Sequence, residues 1–301
     1  MDFEQEPPFC LQVELTEGCP LRCSYCGINA IHGKKRFYKF MTVDLAEIIA
    51  NKLSKSGWNC RVEFAMHGEP TMNPNRNHIV SIFRKYLPEH HLTMLSNGIG
   101  LCKGDIKGNV TALFEAGLNC LAIEEYEHCS AHKIIKRHFD KYISYPNNPA
   151  GNPHKRIKKE RLIFMEDIKF SSKGTHSELC NHCGDGGPLD FSRQKEPCAK
   201  PFREMGICWD GVVPSCCNDF QRRIIIGMIQ DSSFEEIWQS RVFQLIRKKL
   251  YHGERSFVPC LGCNYRSYRN GLLPDKKGLY YLPNITIDEG IELNDYRFKR
   301  D

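Results

Sequence analysis

Two spacings of apolar residues alternate along the first 170 positions. Residues 11–18 (LQVELTEG), 60–70 (CRVEFAMHGEP), 91–98 (HLTMLSNG), 119–126 (NCLAIEEY) and 161–167 (RLIFMED) are short apolar runs that predict buried strands. Between them lie segments of helical period. Residues 42–57 set Val43, Leu45, Ile48, Ile49 and Leu53 on one face, with Thr42 as N-cap and Gly57 as the stop. Residues 77–87, 105–117 and 131–143 read as further helices, and 145–153 (YPNNPAGNP) as a loop.

Strand and helix in alternation predict a parallel sheet with right-handed crossovers. The expected fold is α/β: a partial (β/α) TIM-like barrel of about five to six parallel strands, five of them visible in the sequence. Chemistry in such folds sits at the C-terminal ends of the strands. Cys19–Cys26, His67–Pro70, Ser96–Gly98 and Glu124–Tyr126 all fall at such ends. Beyond about residue 171 the texture changes to cysteines, glycines and short segments, until one amphipathic helix at 232–250. The expected division is a barrel over 1–170, a small cysteine-rich domain over 171–274 and a polar tail over 275–301.

At 301 residues and 41% hydrophobic, the chain can bury a sizeable core. The net charge of +6 is scattered, and a basic strip at 154–161 (HKRIKKER) leaves nucleic acid open as a partner. No apolar run approaches the length of a membrane span, and the N-terminal MDFEQEPPF lacks an apolar signal core, so we expect a cytoplasmic protein. Sixteen cysteines are then anomalous, because clustered cysteines in a reducing compartment point to metal or catalysis. Cys10, Cys60, Cys102, Cys120 and Cys129 stand alone and read as buried apolar residues.

Residues 15–29 (LTEGCPLRCSYCGIN) pack Cys19, Cys23 and Cys26 into a loop after the first strand. A structural zinc site takes four ligands. Three thiolates leave a corner open, and an iron–sulfur cluster held by three cysteines keeps one iron free. Cys-x3-Cys-x2-Cys after a first strand, with Tyr25 before the last cysteine, resembles the signature of the radical SAM superfamily. The resemblance implies a [4Fe–4S] cluster on Cys19, Cys23 and Cys26 whose open iron binds S-adenosylmethionine. It also implies one-electron cleavage of that molecule to a 5′-deoxyadenosyl radical, which abstracts a substrate hydrogen atom. His67-Gly68-Glu69-Pro70 resembles the family's Gly-Gly-Glu-Pro, which holds the methionine ammonium; His67 replaces a glycine, and we expect no special role for its side chain. Ser96-Asn97-Gly98 resembles the family's Thr-Asn-Gly, Glu124 ends the fourth strand where the family places ribose or ammonium contacts, and Tyr25 is expected to meet adenine through its backbone.

Cys198, Gly211 and Cys216 fit Cys-x12-Gly-x4-Cys, and Cys260-x2-Cys263 follows. With Trp209-Asp210-Gly211 this resembles the C-terminal SPASM/twitch module of many such enzymes, in its shorter twitch form, because no cysteine follows Cys263. The resemblance implies one auxiliary [4Fe–4S] cluster on Cys198, Cys216, Cys260 and Cys263; structural zinc would use the same four ligands. Cys180, Cys183, Cys208 and Cys217 remain, a second auxiliary site by count alone, with Cys217 expected to point away from the cluster. The implied function is a radical SAM oxidoreductase acting on a small molecule or peptide side chain, most like the aminocyclitol dehydrogenase type, with a flavodoxin- or ferredoxin-type electron donor. An auxiliary cluster could accept an electron from the substrate radical, and oxidation also needs a proton acceptor. Glu125, Glu166, Arg203 and His182 are the candidates. The alternatives are a peptide or protein maturase making a crosslink or formylglycine, a nucleotide or nucleic-acid modification enzyme, and, outside catalysis, a zinc-binding interaction protein.

Overall fold

The structure is a computed structural model and describes residues 7–265 apart from 34, 36, 127–128, 146–159, 166–179 and 194. Seven strands form its main sheet: β1 Cys10–Val13, β2 Arg61–Phe64, β3 Leu92–Ser96, β4 Cys120–Glu124, β5 Ile143–Tyr145, β6 Arg161–Met165 and β7 Glu204–Ile207. Their order is β5-β6-β4-β3-β2-β1-β7, and every pairing is parallel. This is the expected partial barrel, with two strands beyond the five read from sequence. β5 is only three residues long and straddles the end of the helix read over 131–143 and the start of the loop read over 145–153. The helix itself, α4, spans only Ala131–Lys136, and Ile143 belongs to the sheet, opposite Ile163. β7 is hidden among the cysteines, beyond the expected boundary near residue 170, and pairs with β1, Cys10 opposite Glu204. The change of texture at 170 therefore does not interrupt the sheet.

Alternation along the strands sorts the two faces. Leu11, Val13, Val62, Phe64, Leu92, Met94, Leu121 and Ile123 point to the helix side and join the main core. There α1 (Val43–Ser56), α2 (Arg76–Tyr86) and α3 (Ile106–Glu115) cover the sheet. Thr42 Oγ1 accepts from Leu45 N at 3.2 Å, and Gly57 takes the left-handed conformation that ends α1. On the inner face, Cys10, Gln12, Arg61, Glu63 and Thr93 replace the branched apolar residues usual inside such barrels.

The C-terminal part adds the hairpin β8 (Val212–Pro214) and β9 (Ile225–Met228), then α5 (Phe234–Trp238) and α6 (Arg241–Tyr251). The sequence predicts one helix over 232–250. The break comes at Gln239–Ser240, where Ser240 Oγ caps a new helix by accepting from Phe243 N at 3.4 Å. This part docks on α1: Trp58 packs edge-on against Phe234 and Trp238, and Lys52 Nζ donates to the Ile229 carbonyl at 2.7 Å. No helix among the described residues is long and apolar enough to cross a membrane. The basic strip at 154–159 and the tail at 275–301 lie outside the described residues.

Candidate active site and second cysteine centre

The loop after β1 brings Cys19, Cys23 and Cys26 to the rim of one cavity of about 350 Å3 at the C-terminal ends of the strands. The loop is held by its own backbone and by neighbours. Cys26 N donates to Cys23 O at 3.0 Å, Asn29 Nδ2 to Cys23 O at 2.8 Å and Arg22 to Cys19 O at 2.6 Å. Cys19 Sγ accepts from Leu21 N and Asn97 Nδ2, both at 3.4 Å. Burial, with Glu69 nearby, pushes the Cys19 thiol up to about 12, and burial pushes Cys26 up to about 11. Three such thiols become thiolates together only when a cation supplies the compensating charge.

The next loop is fastened to this one. An added Cβ at Gly68 would lie 2.0 Å from the Thr16 carbonyl oxygen, so only glycine allows the approach. Glu69 N then donates to Gly18 O at 2.9 Å. The Glu69 carboxylate is buried. Its Oε1 accepts from Thr71 N at 3.0 Å, from Ser96 Oγ at 2.6 Å and from the Thr71 hydroxyl; its Oε2 accepts from Asn97 N at 2.8 Å. A carboxylate has about four lone-pair sites, two on each oxygen, so Oε2 keeps capacity for an ammonium group. Burial raises this carboxyl above the usual range despite those donors. Ser96 and Asn97 thus act through Glu69 and Cys19, and Pro70 opens the turn Pro70–Met72 that places Thr71.

Of the residues read as cofactor-binding, Tyr25, Gly68, Glu69, Ser96, Asn97 and Glu124 line the cavity, and Pro70 supports it from behind. The Tyr126 hydroxyl donates to Glu124. Among the proton-acceptor candidates, His182 lines the cavity, its ring packed edge-on against Phe220 at 5.0 Å. Glu125 faces Lys133 at 3.4 Å and Arg203 lies over Phe9 at 6.0 Å, and neither lines the cavity. Glu166 lies outside the described residues.

The sequence reading missed the floor. Gln12 and Glu63 reach it from the inner faces of β1 and β2, and Lys200 and Cys217 from the C-terminal part. Lys200 Nζ donates to Glu204 Oε2 at 2.6 Å, and Gln12 Nε2 approaches the same oxygen at 3.4 Å. Cys217 lies 3.6 Å from Glu204 and lines the cavity. Period-two alternation in β1 and β2 was the signal that could have found Gln12 and Glu63.

The His67 side chain also corrects the sequence reading. It is fully buried, with Nδ1 3.2 Å from Glu14 Oε1 and Nε2 2.9 Å from the Cys217 carbonyl. Both ring nitrogens face oxygen acceptors, which suits the imidazolium. Burial opposes that charge, and Glu14 overcomes it, so the ring's pKa lies above its ordinary value. Arg222 pairs with Glu14 at 3.5 Å, Glu17 at 2.9 Å and Asp210 at 2.6 Å. This ionic bridge ties the cysteine loop's strand to the C-terminal part.

A second centre lies behind the floor. Cys198, Cys216, Cys260 and Cys263 line one buried cleft, and Cys183 lines it with them. Lys200 and Asn218 line both this cleft and the cavity at the strand ends. Cys208 is elsewhere, beside Glu14 and Arg222. The four leftover cysteines therefore do not assemble a third site. Thiols without a disulfide, converging in a buried cleft, fit a thiolate-held cluster, as the open three-cysteine loop above a large cavity fits a cluster that shares S-adenosylmethionine.

Comparison with known proteins finds a family match over each of these two regions. The family model described as the radical SAM superfamily matches residues 13–124, and the SPASM model, an iron–sulfur cluster-binding domain, matches residues 198–264. Cys180 and Cys183 precede the second match. The S-adenosyl-L-methionine-dependent 2-deoxy-scyllo-inosamine dehydrogenase of Niallia circulans is 24% identical over 259 residues, covering 84% of this chain and 92% of that protein. The GTP 3′,8-cyclase of Mycobacterium marinum is 30% identical over 113 residues, 36% of this chain and 29% of that one. The crystal structure of BtrN in complex with AdoMet and 2-DOIA superposes with a TM-score of 0.66 at 20% identity, over 86% of this chain and 94% of that one.

Proposed function

From the premise that the chain belongs to the radical SAM superfamily and carries a C-terminal SPASM-type iron–sulfur module, we propose that it oxidises a small polar molecule by two electrons. It is a radical SAM enzyme, and its cofactors are S-adenosylmethionine, a [4Fe–4S] cluster and an auxiliary iron–sulfur cluster. When bound, these groups supply a 5′-deoxyadenosyl radical at the cavity and a sink for one electron behind its floor.

The rest falls to residues of this chain. Cys19, Cys23 and Cys26 hold the first cluster and leave one position open. Glu69 Oε2 and the carbonyls of its loop receive the ammonium of S-adenosylmethionine, and the backbone at Tyr25 and the Glu124 carboxylate border the nucleoside. Cys198, Cys216, Cys260 and Cys263 hold the auxiliary cluster. Gln12, Glu63 and the Lys200–Glu204 pair orient the substrate by hydrogen bonds from the floor. An alcohol going to a carbonyl loses a hydrogen atom, a proton and an electron; His182 receives the proton at its imidazole. An external flavodoxin- or ferredoxin-type protein is the proposed electron source.

The observation that carries this reading is the shared wall. Lys200 and Asn218 face the catalytic cavity on one side and the second cysteine cleft on the other. A substrate radical in the cavity is thus separated from the auxiliary centre by single side chains. The Niallia relative is by name a dehydrogenase of 2-deoxy-scyllo-inosamine. We carry over the reaction class and use that compound as a first probe. Reconstituted protein with dithionite should form 5′-deoxyadenosine and methionine without substrate. With an accepted substrate it should form one carbonyl product per 5′-deoxyadenosine. Absence of 5′-deoxyadenosine overturns the first-site assignment; a redox-neutral product overturns the oxidation.

A further inference from the structure

We propose that the Cys180-x2-Cys183 knuckle belongs to the auxiliary centre, so that six cysteines serve one cluster and a surplus thiol takes over when a ligand is lost. The inference rests on the cluster reading of the second centre and adds residues to it.

Three observations converge. First, Cys183 lines the same buried cleft as Cys198, Cys216, Cys260 and Cys263. Cys180 and Cys183 both lie beside Cys263. Second, the two Cys-x2-Cys knuckles are stapled to each other. Asn181 N donates to Asn264 Oδ1 at 2.8 Å, and Asn264 N returns a bond to Asn181 Oδ1 at 3.3 Å. Asn181 Nδ2 reaches the Gly262 carbonyl, inside the second knuckle, at 2.7 Å. Cys183 itself is held at φ 57°, a left-handed conformation that a residue with a side chain keeps only where its surroundings impose it. Third, Cys180 Sγ accepts from His182 N at 3.4 Å and Asn218 Nδ2 at 3.3 Å. The amide two residues on donates in the same way to Cys19 and Cys216, both assigned as cluster ligands.

A cubane takes four cysteines, which leaves two of the six in reserve. Cys263 is the ligand beside which both reserve thiols lie, so its position is the one they can fill. On binding, the incoming cysteine gives its proton to solvent and forms an iron–sulfur bond in place of the missing one.

The test counts irons and acid-labile sulfides by anaerobic analysis and Mössbauer spectroscopy, with the first cluster retained as the folding control. Wild type should hold about eight irons, from two four-iron clusters. Cys263→Ala should also hold about eight, because Cys183 or Cys180 replaces the lost ligand, and so should Cys180→Ala/Cys183→Ala. All three substitutions combined should leave about four, those of the first cluster. The electron paramagnetic resonance signal of the reduced auxiliary cluster should shift in Cys263→Ala. Loss of four irons in Cys263→Ala alone would overturn the proposal. So would their loss in Cys180→Ala/Cys183→Ala, which would make the pair obligatory, or their retention in the triple variant. Wild-type protein with only about four irons would instead sink the cluster reading itself.

Discussion

Replacing Gly68 by alanine tests how the two loops of the catalytic site are fitted together. The added Cβ would sit 2.0 Å from the Thr16 carbonyl oxygen and 2.6 Å from that of Gly18, where ordinary contact begins at 3.4 Å. Neither partner is a flexible side-chain tip. The difference between 3.4 and 2.0 Å means that one backbone must retreat by about 1.4 Å. The 16–18 segment runs directly into Cys19, and Glu69 N is bonded to Gly18 O, so the retreat separates the cluster loop from the ammonium-binding loop. A misplacement of about 1 Å costs on the order of 100-fold in rate where geometry controls the step. The expected outcome for Gly68→Ala is near-normal iron content, since all ligands remain, with 5′-deoxyadenosine formation about 100-fold slower. Gly187→Ala is the control, because its Cβ would meet nothing closer than Asn181 Cβ at 3.5 Å. A Gly68→Ala rate indistinguishable from that control would refute the close-approach argument.

Cys23→Ala should lose about four irons and all S-adenosylmethionine cleavage while keeping the auxiliary cluster's spectrum, which iron counting and Mössbauer spectroscopy read directly. Arg222→Met leaves Glu14 and Glu17, with side chains 0% and 4% exposed, short of a positive partner. Breaking a buried pair costs about 3–5 kcal/mol, and because Lys39 and His67 remain, we expect about 3, read as a shift in the denaturant midpoint at constant slope. His67 has its pKa raised in the fold, so its stabilisation is complete below the unfolded value of about 6.5 and fades as pH rises through the higher folded value. The stability gap between wild type and His67→Gln should therefore narrow as pH climbs through that window, and a pH-independent gap would contradict the imidazolium assignment. Lys200→Met should leave 5′-deoxyadenosine formation without substrate unchanged within about twofold while lowering product yield per turnover, since Lys200 faces the floor and not the cysteine loop.

Much of this was legible in the sequence, for identifiable reasons. Cys19, Cys23 and Cys26 are close in sequence, so spacing alone brought them together. The strand ends carrying Glu69, Ser96–Asn97 and Glu124 were readable because a parallel sheet puts all its C-terminal ends on one side. What spacing could not reveal were contacts made across the chain. Cys183 meets Cys263 across a stretch that includes a strand, a hairpin and two helices, and no local spacing links the two cysteines. β7 was invisible because four residues, Glu-Met-Gly-Ile, carry too little pattern to stand out among turns and cysteines. His67 was discounted for replacing a glycine, whereas its ring fills the gap between Glu14 and the Cys217 carbonyl.

The inner face of the sheet carries the last step. Arg61 pairs with Glu63 at 2.7 Å, and Lys200 with Glu204 at 2.6 Å, all four buried. Each buried ion costs several kcal/mol of desolvation, and close pairs of this kind commonly do no better than well-packed apolar side chains would. Stability alone would therefore be served equally by the branched residues that fill other barrels. What the pairs add is a floor with balanced charge and several fixed donors and acceptors. Glu63 and Lys200 line the cavity itself, beside Gln12, while Glu204 and Arg61 hold them in place from below. Such a surface distinguishes ligands by the placement of hydroxyl and amino groups more than by net charge, because a misplaced substrate group leaves a buried partner unsatisfied. The same Lys200 forms part of the wall of the second cysteine cleft. On the proposed function, substrate contact and the wall of the auxiliary centre meet at Lys200 and Asn218, so losing Lys200 should uncouple radical formation from product formation rather than abolish both.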